Sequence, residues 1–106
     1  MLKKPYEIGE HHKLFFGTLT NGNRFRIANL LLKVPKTVTQ ISKNLKINQT
    51  TVSHNLKRML RCGFVTNSLN GKFRVYSINK ETIAPLIKLM NKHVVKYCKC
   101  KTHRKG

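Results

Sequence analysis

From Asn48 to Arg61 the chain reads Asn-Gln-Thr-Thr-Val-Ser-His-Asn-Leu-Lys-Arg-Met-Leu-Arg. Gln, Thr, Ser and His side chains can hydrogen-bond to base edges, while Lys and Arg suit phosphates. Val52, Leu56, Met59 and Leu60 recur at helical spacing and form one apolar stripe. The opposite face carries Thr50, Ser53, His54, Lys57, Arg58 and Arg61, none of them acidic. Asn48 can cap such a helix, because its side chain accepts a bond from an orphan backbone N–H. A short helix with these two faces fits a DNA major groove, with its N-terminal end nearest the bases. Gln49, Thr50, Ser53 and His54 are therefore the candidates for base contact. Lys43, Lys46, Lys57, Arg58, Lys72 and Arg74 are the candidates for phosphate contact. Taken alone, the helix would better suit an ordinary cationic surface, so the flanking elements decide.

A second constellation lies near the C-terminal end. His93, Cys98, Cys100 and His103 supply two thiols and two imidazoles within eleven residues. Such donors select Zn or another thiophilic metal, and neighbouring lysines favour the thiolate. In an extended segment Cys98 and Cys100 point the same way, whereas on a helix they diverge. The competing reading is a basic tail with incidental cysteines, and DNA contact requires no cofactor. Cys62, at a helix end before Gly63, reads as a small buried residue.

Catalysis has no support in these residue types. The chain has no Asp, and its three acids are Glu7, Glu10 and Glu81. No Ser/His/acid set, Cys/His pair in a recognisable setting or glycine-rich phosphate loop occurs, so the expectation is a non-enzyme.

The 106 residues suffice for one domain with a modest core, and the formal net charge is +19. No acid occurs from His11 through Lys80. Such a stretch repels itself unless a polyanion or counterions compensate. Double-stranded nucleic acid is the expected partner, ahead of an anionic membrane surface. No apolar run approaches the ~20 residues that a membrane span needs. Met1-Leu2-Lys3-Lys4-Pro5 is basic but leads into no apolar signal core, so a cytoplasmic, nucleoid-associated protein is expected. Three cysteines in a reducing compartment do not suggest a disulfide framework.

The elements that must position these residues follow from periodicity and punctuation. Leu14, Phe15, Phe16 and Leu19 predict a helix from about Ile8 to Leu19. After Asn21-Gly22-Asn23, a second apolar helix holds Phe25 through Leu32 and stops before Pro35. Thr39 is the expected N-cap of a third helix with Ile41 and Leu45, and Ile47-Asn48 is the turn into the fourth. Two strands, Phe64–Leu69 and Lys72–Ile78, flank Asn70-Gly71, a strong hairpin signal. A two-residue Asn-Gly loop would pair Leu69 with Lys72, Asn67 with Arg74 and Val65 with Tyr76. A last helix from about Lys80 to Tyr97 shows Ile83, Leu86, Ile87, Met90, Val94 and Tyr97. Residues 1–98 thus read as one domain, mainly α with a small β-hairpin in winged helix-turn-helix order, and residues 99–106 as a basic tail.

At this point the chain resembles the ArsR-type winged-helix repressors. Leu19-Thr20-Asn21-Gly22-Asn23-Arg24 is similar to the family's Leu-Ser-Asp-Pro-Thr-Arg-type run, with Asn-Gly-Asn replacing Asp-Pro-Thr. Gln49 through Leu56 is similar to its recognition segment, with Asn55 departing from a common His. Gly63-Phe64-Val65 and Val75-Tyr76-Ser77-Ile78 match its wing strands. The resemblance implies an intertwined homodimer built on the first and last helices, and a sequence-specific regulator of transcription with repression as the expected mode. The alternative, favoured by the charge of +19, is an architectural protein that binds DNA without sequence preference. Many members of the family sense metals. Here Val38-Thr39-Gln40-Ile41 stands where one group carries a Cys-x-Cys site, and the last helix lacks another group's Asp/His pairs. Only the terminal Cys/His set would remain as a sensor.

Overall fold

The computed structural model describes residues 9–98. Five helices and one hairpin follow in order: α1 (Glu10–Thr20), α2 (Gly22–Leu31), α3 (Val38–Leu45), α4 (Gln49–Arg61), β1 (Val65–Asn70), β2 (Phe73–Ile78) and α5 (Ile83–Tyr97). This is a winged helix-turn-helix, as the residue pattern predicts. The expected tail, residues 99–106, and the expected helix start at Ile8 lie outside the described residues.

The core sits where α2, α3, α4, the base of the hairpin and the start of α5 converge. Ile27, Ala28 and Leu31 of α2 meet Ile41 of α3 and Val52, Leu56 and Met59 of α4. Phe64, Val65 and Ile78 close it from the wing side, and Ile83, Ala84 and Ile87 from α5. Fully burying one such aliphatic side chain stabilises the fold by about 1.5–3 kcal/mol. The α4 stripe differs from expectation at one position. Leu60 is only half-buried, and Asn55 takes its place against the body at 7% exposure.

Helix ends explain most of the shifts from the sequence reading. Asn21 is the N-cap of α2, accepting from the Arg24 N–H at 3.0 Å, so Gly22 and Asn23 lie inside that helix. Helix α3 begins two residues earlier than Thr39 would set it. Thr37 Oγ1 accepts from the Gln40 N–H and Gln40 Oε1 from the Thr37 N–H, a reciprocal capping box. The extended residue before it is Lys36, whose N–H and C=O exchange bonds with Tyr76 at 3.0 and 2.8 Å and tie the α2–α3 loop to the wing. Gly63, at φ 73°, ends α4: Phe64 N–H bonds to the Met59 carbonyl and Gly63 N–H to Leu60, a Schellman closure. Asn79 braces the turn that leads into α5. Its Oδ1 accepts from the Glu81 and Thr82 N–H groups while its Nδ2 donates to the Gly63 carbonyl at 2.8 Å.

The hairpin register is corrected. Observed pairs are Val65 with Ile78, Asn67 with Tyr76, Leu69 with Arg74 and Asn70 with Phe73. The loop is therefore Gly71-Lys72, not Asn70-Gly71. Gly71 has φ 67° and Lys72 does not have positive φ. A glycine at the first central position alone is the pattern of a type II′ turn, whereas type I′ would need positive φ at both. This register also keeps Val65 and Ile78 together in the core.

Candidate nucleic-acid interface

Helix α4 presents its polar residues because Asn48 fixes where it starts. Asn48 Oδ1 accepts from the Thr51 N–H at 2.9 Å, so Gln49 and Thr50 form the exposed first turn. At 100° per residue, Thr50, His54, Lys57 and Arg61 fall within an arc of about 60°, with Ser53 about 40° beyond its edge. All five are exposed, as is Gln49. Val52, Asn55, Leu56 and Met59 hold the opposite side against the body. The structure thus brings Gln49, Thr50, Ser53, His54 and Lys57 together on one surface free of carboxylates.

Arg58 is set apart from the other phosphate candidates by its burial. It stands at the flank of α4, half-buried, with Nη2 4.0 Å from where a Cβ on Gly17 would lie and with Nε buried and unpartnered. Its guanidinium lies beside α1 at Gly17, at the flank of the exposed arc.

The residue that sequence reasoning missed is Arg24. Its Nη1 donates to Asn55 Oδ1 at 3.0 Å, its Nε to the Thr18 carbonyl at 3.2 Å and its Nη2 to the Gly17 carbonyl at 3.4 Å. It satisfies carbonyls at the end of α1 and pins the inner side of α4. Burial first, and the neighbouring Arg58 guanidinium second, push its pKa down, while Cys62 opposes them. Asn55 Nδ2 donates back to the Thr51 carbonyl at 2.9 Å, so its amide is oriented at both ends. The sequence signal was the Arg of the Leu19–Arg24 run, but nothing local named Asn55 as its partner. Cys62 is half-buried beside Thr18. Thr18 Oγ1 donates to the Leu14 carbonyl and lies 3.3 Å from Cys62 Sγ.

The turn between α3 and α4 carries Lys46 in the left-handed region at φ 58°, the conformation that glycine normally supplies. Ile47 N–H reaches back to the Ser42 carbonyl, and Arg26 Nη2 donates to the Leu45 carbonyl at 2.8 Å. Lys43 and Lys46 are exposed on either side of this closure. On the wing, Lys72 is at the tip, with Nζ 6.0 Å from the Phe73 ring centroid. Arg74 is exposed, and its Nη1 donates to Asn67 Oδ1 at 2.7 Å, which holds the guanidinium along the hairpin face.

The Cys/His set is brought together only in part. His93 is exposed and its ring lies 4.8 Å from that of Tyr97, while Cys98 is half-buried at the C-cap of α5. Five residues apart on a helix, they are rotated by about 140° from one another. Cys100 and His103 lie outside the described residues. Among the described residues, no group of three or more His, Cys, Asp or Glu side chains could hold a metal. Nor is any described helix long and apolar enough to cross a membrane.

Residues 21–67, from the cap of α2 into β1, match the family model described as "Bacterial regulatory protein, arsR family". A protein of Streptomyces lividans described as a probable mercury resistance operon repressor is 28% identical over 75 residues, 71% of this chain. That match spans 60% of the relative's own length. Among solved structures, the homodimeric winged helix-turn-helix DNA-binding domain of a Mycobacterium bovis protein superposes with TM-score 0.79 at 27% identity, covering 85% of this chain and 83% of that one. The transcriptional repressor PagR of Bacillus anthracis is 34% identical, with TM-score 0.67, covering 76% of this chain and 93% of its own. A capped polar helix after a short turn, a two-stranded wing and these likenesses agree, and the chain belongs to the ArsR family of bacterial regulatory proteins.

Proposed function

We propose that the chain binds duplex DNA sequence-specifically as a homodimer and represses transcription. The acid-free arc of α4 would lie in the major groove and the wing would contact the backbone beside it. The observation that carries this reading is the joint exposure of Gln49, Thr50, Ser53, His54 and Lys57 on the second helix of a helix-turn-helix. The descriptions of PagR and of the Streptomyces relative as repressors support it. Dimerisation is supported by the surface of α1 and α5. Phe16 is 51% exposed, and Leu89, Val95 and Tyr97 are each more than 60% exposed on the half of α5 that extends past the core. A soluble monomer gains nothing from such exposed apolar side chains, whereas a second copy would bury them.

Footprinting on DNA selected from genomic fragments tests the reading. Two half-sites about 34 Å apart, or a multiple of that, are expected from two recognition helices. A single asymmetric site contradicts the dimer. The charge of +19 favours one second reading, an architectural DNA-binding protein of the nucleoid. A ratio of specific to non-specific affinity near unity would select it. Either role places the protein in the cytoplasm.

A finer proposal is response to Zn or another thiophilic metal. It needs Cys100 and His103 to join Cys98 and His93, since the described residues alone make no site. Coupling of this kind would change DNA affinity by about 5- to 150-fold, and a chain truncated after Tyr97 would lose the change. Full-length protein without stoichiometric Zn or Cu(I) binding under reducing conditions would exclude it.

A further inference from the structure

On the side of α2 away from the core, a cleft of about 570 Å³ opens between α2, the end of α3 and the middle of α5. That volume is in the range of small-molecule sites. Its walls are apolar: Phe25, Leu30, Leu32 and Leu45, each only half-buried. An oriented amide pair lies in it. Asn91 Nδ2 donates to Asn29 Oδ1 at 2.9 Å, and Asn29 Nδ2 to the Phe25 carbonyl at 3.0 Å. Arg26 on α2 and Lys33 just past the end of that helix stand at its edge, both exposed. Neither carboxylate of the described residues, Glu10 or Glu81, lines the cleft. The one ion pair among those residues is Lys13–Glu10 on α1. The cleft therefore offers apolar surface and positive charge with no counterion among the described residues.

We propose that this cleft binds an amphipathic organic anion, a carboxylate carrying an apolar chain or ring. The apolar body packs on Phe25, Leu30 and Leu32, and the carboxylate pairs with Arg26 and Lys33. The Arg26 guanidinium that would receive it now holds the Leu45 carbonyl at 2.8 Å. Leu45 leads directly into the left-handed Lys46 turn before α4. A carboxylate competing for Arg26 loosens that tie, so occupancy reaches the turn that sets the recognition helix. The consequence for DNA rests on the function proposed above; the test does not, because it is made without DNA.

The full chain is titrated with octanoate while amide resonances are followed by NMR, with octan-1-ol and acetate in parallel. Saturable shifts are expected in the Asn29 and Asn91 side-chain amides and in the backbone amides of Lys46 to Asn48. Octanol should bind about tenfold more weakly, since it lacks the charge-assisted bonds, and acetate weaker still. Lys33→Gln, an exposed change that leaves the fold intact, should weaken octanoate about three- to tenfold, and Lys92→Gln on the outer face of α5 should not. Absence of saturable shifts at millimolar octanoate, equal affinity for octanol, or unchanged affinity in Lys33→Gln would overturn the site. Cleft shifts that track protein concentration instead of octanoate would assign it to a second copy. Saturable binding that leaves Lys46 to Asn48 unmoved would overturn the link to the turn.

Discussion

Replacing Arg24 with Ala should destabilise the domain far more than replacing the equally cationic Arg58. Arg24 makes two short charge-assisted bonds, to Asn55 Oδ1 at 3.0 Å and the Thr18 carbonyl at 3.2 Å, and a long one at 3.4 Å to Gly17. Each short bond to a charged group contributes about 1.5–3 kcal/mol when well desolvated. Partial exposure, the cost of burying the charge and repulsion from Arg58 reduce the sum. A net loss of about 2 kcal/mol follows for Arg24→Ala, part of it the cost of leaving Asn55 Oδ1 unpaired. For a domain near this size that is a fall in Tm of about 8–15 °C. Arg58→Met removes a buried, unpartnered Nε and a like charge, so it should be neutral or stabilising by up to about 1 kcal/mol. Urea unfolding of Arg24→Ala, Asn55→Ala and the double variant, at one fixed protein concentration, isolates the pair. A coupling energy of about 1 kcal/mol is expected for two side chains in direct contact. Coupling below about 0.3 kcal/mol, within ordinary additivity, would show that Arg24 does not pin α4 through Asn55 and refute the reasoning.

Affinity for any duplex should fall steeply with salt: with about six phosphate contacts per dimer, the log–log slope is near −5, and a flat dependence removes the phosphate argument. Lys46→Gly should raise stability by up to about 1 kcal/mol in the same urea assay, because glycine adopts the left-handed region that a side chain resists. A loss of stability there would mean that the Lys46 side chain contributes more than its backbone conformation costs.

Local signals were legible and long-range partners were not. Asn48 announced α4 because an N-cap acts three residues away on its own chain, at Thr51. Val52, Leu56 and Met59 announced its buried side by periodicity alone. The exposed residues Gln49, Thr50, Ser53 and His54 were readable as the complement of that stripe. Asn70-Gly71 marked the hairpin, yet a glycine can fill either central position of the turn. The register was decided by keeping Val65 opposite Ile78 in the core. Thr39 is the cap that the sequence predicts for α3, whereas Thr37, with Gln40 three residues on, forms the capping box. Arg24 and Asn55 are 31 residues apart, and Asn79 serves Gly63 across 16. Such pairs exist only once the helices have docked, so no spacing in the sequence could announce them. Arg58 makes the same point: a helical wheel places it near the polar arc, and its proximity to α1 at Gly17 exists only once the helices have docked.

The central claim is that α4 reads bases, and paired affinities on selected operator and random DNA test it most directly. His54→Ala and Ser53→Ala should each weaken operator binding by about 1–3 kcal/mol and relax preference at one base position per half-site, with random-sequence affinity nearly unchanged. Lys72→Ala and Arg74→Ala should weaken both DNAs alike, as loss of phosphate contacts does. If His54→Ala and Ser53→Ala lower operator and random affinity equally, the exposed arc of α4 does not read sequence.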